Sequence, residues 1–463
     1  MTAVKHVGVI DIGKTNAKVA VVDVERQREI GVLTRPNQVL DAPPYPHYDL
    51  EGHWRFICDA LGELHAVHGI DAISVTTHGA SAVLLDSRGG LAAPMLDYEF
   101  GGPDSLAAEY DAVRPDFSET GSPRLGMGLN LGAQLFWLLK SDPGLLDRIS
   151  AVVTYPQYWT YRLTGVLANE VTSLGCHTDL WCPSGNRYSS LVERLGLSGK
   201  MAPVMRAADR FGEILPEIAA RTGLPAGIPV SCGIHDSNAS LYPHLLKRQS
   251  PFSVVSTGTW VIALSIGGEA ASLDPDRDTL INVNAFGHPV PSARFMGGRE
   301  FEIVLNGHGR ECSQEDVAGV LEKDIMLFPA VDPRSGPFQG RQHRWRAGEA
   351  SLSDGERYAA LSFYLALTTG ECLAMTGARG PVIVEGPFSQ NRLYLDMLQA
   401  ATGRLVEASE GSVTGTSVGA ALLVADGGLK PVRVPAGGGE ASIPDPRFRS
   451  YAAKWQASVS RHG

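Results

Sequence analysis

The sequence predicts an α/β protein of two similar halves, on three observations. The chain has 463 residues, more than one ordinary domain holds. Short valine- and isoleucine-rich runs alternate with longer stretches of helical spacing. A strand, a polar glycine turn and a second strand occur near the start, within 7–23, and again past the middle, within 252–265. Mixed α/β halves favour a ligand cleft between them.

The elements follow in order. Residues 4–10 read as a strand, 11–16 as a tight polar turn and 17–23 as the returning strand. Helical spacing covers 50–68. Residues 72–77 form a strand that runs into His78-Gly79, and 82–85 a short one. A helix is predicted over 132–140, a strand over 151–154, and a helix over 157–163 closed at Gly165. The strand 229–232 enters Gly233-Ile234-His235-Asp236, and a helix runs from there to about Leu245. In the second half come strands 252–256 and 260–265, a helix over 354–377, and the strand 382–385. A loop at Gly386-Pro387 leads to helices near 391–401 and 418–425. The expected domains are 1–245, 246–430 and a C-terminal tail over 431–463, with the boundary near 243–250 and a Pro- and Gly-rich surface stretch over 430–446.

Composition narrows the function. Apolar residues make up 44% and charged ones 19%, the balance of a globular chain with a sizeable core. The net charge of −10 and the lack of a basic stripe argue against a nucleic-acid partner. Six cysteines without a Cys-x-x-Cys pair fit neither a disulfide scaffold nor a zinc site, and point to reduced thiols in a cytoplasmic enzyme. No signal peptide is legible, and no apolar run approaches the roughly 20 residues of a membrane span.

Several clusters could carry chemistry. In Asp11-Ile12-Gly13-Lys14-Thr15-Asn16, a turn between strands can aim N–H groups and hydroxyls at phosphate oxygens, and Asp11 can hold Mg²⁺, directly or through water. Taken alone, these residues read more readily as an ordinary hairpin with an Asx-turn, with Lys14 or Lys18 at the surface. Ser256-Thr257-Gly258-Thr259 repeats the design, and two such turns in matching places could grip one polyphosphate. Asp236 in Gly233-Ile234-His235-Asp236 is a candidate general base, or else only a helix N-cap. Thr77-His78-Gly79-Ala80 and Asp97-Tyr98-Glu99 could bind a polyhydroxylated acceptor, or be a half-buried histidine and a turn. Trp137, Trp159 and Trp181 are core or sugar-stacking residues. Glu385-Gly386-Pro387 with Asn391 could pass under a nucleotide, or merely connect a strand to a helix. Neither a P-loop nor the protein-kinase signature set is present.

Taken in order, Asp11-x-Gly-x-Thr15-Asn16-x-Lys18, Gly233-x-His-Asp236, Ser256-Thr-Gly-Thr-Trp260, the loop near 386 and Gly415-Thr-Ser-x-Gly419-Ala resemble the FGGY family of carbohydrate kinases, over about residues 5 to 426. The resemblance implies two ribonuclease-H-like domains of the actin and hexokinase superfamily, with ATP and sugar in the interdomain cleft. It implies that Asp236 accepts the hydroxyl proton and that Asp11 helps to place Mg²⁺. Gly13, Lys14, Thr15, Asn16 and Lys18 would belong to the first phosphate loop, and Ser256, Thr257, Gly258 and Thr259 to the second. Gly386 and Asn391 would lie near the adenosine. His78, Gly79, Asp97, Tyr98, His235 and Asp236 would lie near the sugar.

The tryptophan at 260 and the His-Asp pair resemble the rhamnulokinase and fuculokinase branch, and Pro43-Pro44-Tyr45-Pro46-His47 resembles rhamnose-pathway kinases. The expected acceptor is therefore a 6-deoxy-ketohexose such as L-rhamnulose or L-fuculose, and a homodimer is plausible from the resemblance. Thr77-His78-Gly79-Ala80 and Lys14 depart from the usual pattern and leave the sugar open. The alternatives are a kinase for a pentulose, a tetritol or a free aldose, and an actin-fold ATPase or sugar sensor without kinase activity.

Overall fold

The computed structural model describes residues 4–346, 348–409, 415–425 and 445–460. The chain forms two compact units. The first holds residues up to Lys247, then Ile281–Pro289, then the segment at 415–425; the second begins at Arg248.

In the first unit, β1 (His6–Ile12), β2 (Asn16–Asp23), β3 (Arg28–Pro36), α1 (Leu50–His68), β4 (Ala72–Thr77), β5 (Arg210–Glu213), β6 (Pro229–Ser231), β7 (Ile234–His235) and α2 (Asp236–Lys247) form the frame. The sheet runs β5-β6-β4-β1-β2-β3, and β7 also pairs with β4. Strands β1, β2 and β3 are antiparallel, whereas β4 runs parallel to β1, and β6 and β7 run parallel to β4. Register brings the ends together: Ile12 is opposite Thr77, and Thr77 is opposite His235. The loops leaving β1, β4 and β7 therefore emerge side by side at the carboxyl ends of parallel strands, where open α/β sheets bind ligands.

Local chemistry explains the helix that covers one face. Asp49 caps α1 by accepting from Gly52 N, and Leu50, Trp54, Ile57, Leu61 and Leu64 bury its apolar stripe. These residues share a core with Ile10, Val19, Val21 and Val75 of the sheet. A satellite core lies beside it, where Ala82–Leu85 pairs antiparallel with Ala151–Thr154 and the helix Leu131–Ser141 packs. Trp159 and Trp181 are fully enclosed, and Trp137 packs edge-on to Tyr45 and Phe100, so these tryptophans are core residues.

The second unit repeats the plan with β8 (Phe252–Thr257), β9 (Val261–Ile266), β10 (Thr279–Val283, of which residues from Ile281 on group with the first unit), β11 (Pro289–Phe295), α3 (Asp354–Met375), β12 (Val382–Glu385), α4 (Arg392–Thr402) and β13 (Val406–Ala408). Its sheet runs β10-β11-β9-β8-β12-β13. Here too antiparallel strands lead to a central one, β8, and β12 and β13 continue parallel. Both units thus carry the ribonuclease-H-like arrangement of the actin and hexokinase superfamily.

The helix α5 (Gly415–Ala425), read in the sequence as part of the second domain, groups by its packing with the first unit. Its Val418, Ala420, Ala421, Leu422 and Leu423 cover the sheet face opposite α1, against Val7, Val9, Val22 and Ala239. Residues 431–463 were expected to be a tail, but α6 (Pro446–Ser460) buries Phe448, Tyr451 and Trp455 in the core of the second unit. Those aromatic positions fall on one helical face. Of the stretch read as surface, 430–444 lies outside the described residues. Strand β3 was not foreseen: it is an edge strand of alternating exposure without a continuous apolar run. Among the described residues no helix is long and apolar enough to cross a membrane.

Candidate active site

Asp236 opens α2, directly after β7, and its two carboxylate oxygens differ. Oδ1 accepts from Ser237 N at 2.6 Å and from Ser237 Oγ at 3.3 Å, and lies 3.2 Å from His235 Nε2. Oδ2 has no hydrogen bond among the described residues. An N-cap carboxylate accepts from the N–H two or three residues on; here the very next N–H is bound, and one oxygen stays available. The carboxylate is one-third exposed, so it can be reached. His235, by contrast, is buried behind it, with its ring against Cys176 and Asn238. Gly79 lies against that ring: an added Cβ would meet Nε2 at 2.7 Å.

Asp11 sits near the end of β1, in register with Lys18 of β2. That register makes the ion pair between them, at 3.1 Å, and Lys18 is also held by Glu29 at 2.9 Å. Ser417 Oγ, from α5, donates to the same Oδ2 of Asp11 at 3.3 Å. Burial raises the Asp11 carboxyl above its usual range, Lys18 opposes this, and the negative charge of Asp236 adds to it. A hard oxygen donor with Oδ1 unpartnered among the described residues, beside a second carboxylate, suits a cation that keeps most of its waters.

The loop between β1 and β2 is shaped by Asn37, which sequence reasoning missed. Its N–H donates to Thr15 O and its side chain to Gly13 O, at 2.9 and 2.8 Å. His53 Nε2 lies 2.7 Å from Asn37 Oδ1, and burial pushes that histidine down to about 4, so it is neutral and donates. A histidine in the buried face of α1 was the only available signal. Thr15 and Asn16 are exposed on this braced loop.

Lys14 leaves the loop in an unforeseen direction. Its Nζ is 2.5 Å from Asp97 Oδ1, 3.1 Å from Glu99 and 3.3 Å from Tyr48 OH, over the faces of Tyr48 and Tyr98. Two carboxylates and two rings hold the ammonium better than solvent does. Lys14, expected among the phosphate contacts, thus stands with the residues expected near the sugar. His78 completes this cluster, its ring packed among Tyr48, Tyr98 and Tyr155. Burial lowers it to about 4; Nδ1 donates to Gly79 O, and the enclosed Nε2 lone pair has no partner among the described residues.

In the second unit, the end of β8 and the turn after it leave Ser256 and Thr259 exposed, while Thr257 is turned inward. Thr257 Oγ1 donates to Glu385 O and accepts from Phe388 N at 3.1 Å, which ties the turn to the loop after β12. Its hydroxyl is a strap, not a free phosphate ligand. Gly386 has φ 80°, and a Cβ there would lie 1.9 Å from Thr257 O, so only glycine fits this crossing. A cavity of about 490 Å³ opens in this unit among Gly258, Thr259, Arg310, Tyr358, Phe388 and Asn391. Asn391 lines it but its side chain caps α4, accepting from Tyr394 N, and donates to Ser362.

Comparison with known proteins bears on both units. Residues 6–242 match the model of the FGGY family of carbohydrate kinases, N-terminal domain, and residues 249–431 that of carbohydrate kinase FGGY, C-terminal domain. A carbohydrate kinase from Novosphingobium aromaticivorans superimposes with a TM-score of 0.89 at 34% identity, over 99% of each chain. A xylulose kinase from Rhodospirillum rubrum shares the fold, with a TM-score of 0.78 at 19% identity over 99% of this chain and 98% of that one. The L-fuculokinase of Escherichia coli strain K12 is 27% identical over 268 residues, 55% of this chain and 55% of the relative. The chain thus spans about half the length of the curated relatives it matches.

Proposed function

Because the chain belongs to the FGGY family of carbohydrate kinases, we propose that it transfers the terminal phosphoryl group of ATP to a hydroxyl of a small sugar, most specifically a 6-deoxy-ketohexose such as L-rhamnulose or L-fuculose. One observation carries the reading: Asp236 holds Oδ1 in a fixed set of donors and leaves Oδ2 without one. An actin-fold ATPase or sugar sensor has no acceptor hydroxyl to deprotonate.

The chemistry follows from these groups. The acceptor hydroxyl gives its proton to Oδ2 of Asp236 as its oxygen bonds to the γ-phosphorus, and ADP leaves with the bridging oxygen. Asp97 Oδ2 offers an acceptor to a second sugar hydroxyl, and the enclosed His78 ring supports the Tyr48 and Tyr98 faces beside it. The braced loop of Gly13, Thr15 and Asn16 and the hydroxyls of Ser256 and Thr259 suit phosphate oxygens. The aromatic- and glycine-walled cavity near Asn391 suits the flat base of the nucleotide. Asp11 would hold Mg²⁺, directly or through water, and Lys18 and Ser417 fix its carboxylate. What the ion supplies when bound is neutralisation of phosphate charge.

The 6-deoxy sugar is supported by the fuculokinase relatives, all distant; an autoinducer-2 kinase of Salmonella typhimurium is 23% identical over 59% of this chain and 53% of that relative. A pentulose, tetritol or free aldose is the second reading, and the acidic lining of Asp97, Glu99 and Asp236 favours a neutral acceptor over an acid. The same reading makes the enzyme cytoplasmic and gives it no nucleic-acid partner. The test is ADP release over a panel of L-rhamnulose, L-fuculose, the pentuloses, erythritol, glycerol and the parent aldoses, with Asp236→Asn alongside. Turnover of one compound, lost in the variant, is expected. Slow ATP hydrolysis that no sugar stimulates would overturn the kinase reading.

A further inference from the structure

A thiol stands behind the base. Cys176 Sγ lies 3.7 Å from His235 Nε2, and the same Nε2 lies 3.2 Å from Asp236 Oδ1. One ring nitrogen therefore faces sulfur on one side and the base on the other. Cys176 and His235 are both buried.

The segment that carries the thiol is fixed on both flanks. Upstream, the enclosed Glu170 carboxylate accepts from Thr172 N and Ser173 N at 2.9 and 3.1 Å and from Thr172 Oγ1 at 2.5 Å. Thr172 Oγ1 in turn accepts from His235 N at 3.1 Å, so the segment is tied to β7 itself. Downstream, buried Asp179 accepts from Tyr110 OH at 2.7 Å, Arg114 Nε at 2.9 Å and Asn130 Nδ2 at 3.0 Å. Such a polar network, enclosed except for the Arg114 side chain, holds its members in one arrangement.

Resting on the reading of Asp236 as the base, we propose that Cys176 is a positioning residue for phosphoryl transfer: as a thiolate it keeps His235 protonated, and the imidazolium charge, 3.2 Å from Oδ1 of Asp236, holds that oxygen so that Oδ2 is presented to the acceptor hydroxyl. The charged and titratable groups around the pair are His177 on the cysteine's own segment, Glu170 before it, His78 and Asp236. Burial works to raise the Cys176 thiol, but the His177 and His235 charges and hydrogen bonds bring it down to about 5. Burial works to lower His235, but Cys176 and then Asp236 raise it to about 9. Between those values the pair is ionic. His78 goes the other way, since burial keeps it neutral.

The sign follows. A histidine raised to about 9 is protonated below that pH and loses its proton above it. With Cys176→Ser the packing and an acceptor remain but the negative charge does not, and His235 returns toward its ordinary value of about 6.5. The experiment measures kcat and KM against pH for wild type, C176S and C176A, using the acceptor found in the panel. The expected result is an alkaline limb of kcat that moves down by roughly two pH units in C176S, a loss of about tenfold near pH 8, and an acceptor KM changed by less than about twofold. Wild-type turnover with an unmoved limb in C176S overturns this inference alone; no turnover by the wild type overturns the kinase reading and the inference with it. A second readout needs neither variant nor activity: the ultraviolet thiolate band of the wild type, followed downward from neutral pH. A band that is lost only in acid supports the pair. A thiol that ionises only near its ordinary value of about 8.5 overturns it.

Discussion

At the scale of single residues, the two carboxylates of the site separate by their partners. Asp236→Asn keeps the shape and the Ser237 contacts but cannot take a proton at Oδ2. Its turnover should fall by a factor of about 10² or more with KM for sugar and ATP little changed. Asp11→Asn should act differently. It removes an anion that burial already disfavours and leaves Lys18 with Glu29 alone. The Mg²⁺ concentration for half-maximal rate should rise about tenfold or more, and saturating Mg²⁺ should recover much of the rate. A magnesium titration of both variants checks the contrast. Both aspartates could be singled out in the sequence because each lies at the end of a strand or just past it, close to a glycine. Asn37 and Cys176 were not, because what defines them is distant: Cys176 meets a histidine 59 residues on. Lys14 was legible as unusual but not as to direction, since its partners Asp97 and Glu99 come from another loop.

At the scale of elements, two glycines mark close crossings. Gly386 passes over Thr257 O, and Gly386→Ala would push the loop after β12 off the turn after β8. The expected outcome is a KM for ATP raised about tenfold or more, with strain of about 1–3 kcal/mol seen as a lower Tm. Gly419 of α5 lies against Ala239 of α2, where a Cβ would approach the carbonyl oxygen to 1.7 Å. Pro243 lies in α2 four residues after Ala239 and so supplies no N–H to that carbonyl. The helices can close only because one lacks a side chain at this point. Gly419→Ala should separate them and destabilise the first unit by at least about 1–3 kcal/mol, read by thermal unfolding. The sequence showed both glycines as parts of motifs. Neither crossing could be read from it, since each depends on which backbone lies opposite.

At the scale of the whole molecule, most strands and helices of the two sheets follow from valine and isoleucine runs and from capped amphipathic stretches, and the repeat of strand–turn–strand announced the two halves. Residues 446–460 were taken for tail because a short amphipathic stretch says that one face can be buried, not against what. Trp455 illustrates the point: it is 1% exposed, and its indole N–H donates to Leu327 O. Trp455→Ala should cost about 3–5 kcal/mol of the second unit's stability, measured as a shift of its urea midpoint. Unfolding need not be a single transition in a chain of two units.

The interleaving of the first unit has a consequence during synthesis. Val7, Val9 and Val22 are made almost at once, yet the helix that covers them is encoded at 415–425. A nascent chain that has finished α2 must carry that valine face without α5 while residues 248–414 are translated, an interval on the order of ten seconds or more. Through that interval the half-covered sheet is a target for chaperones and for mispairing, and a fragment ended at Lys247 would keep that vulnerability permanently.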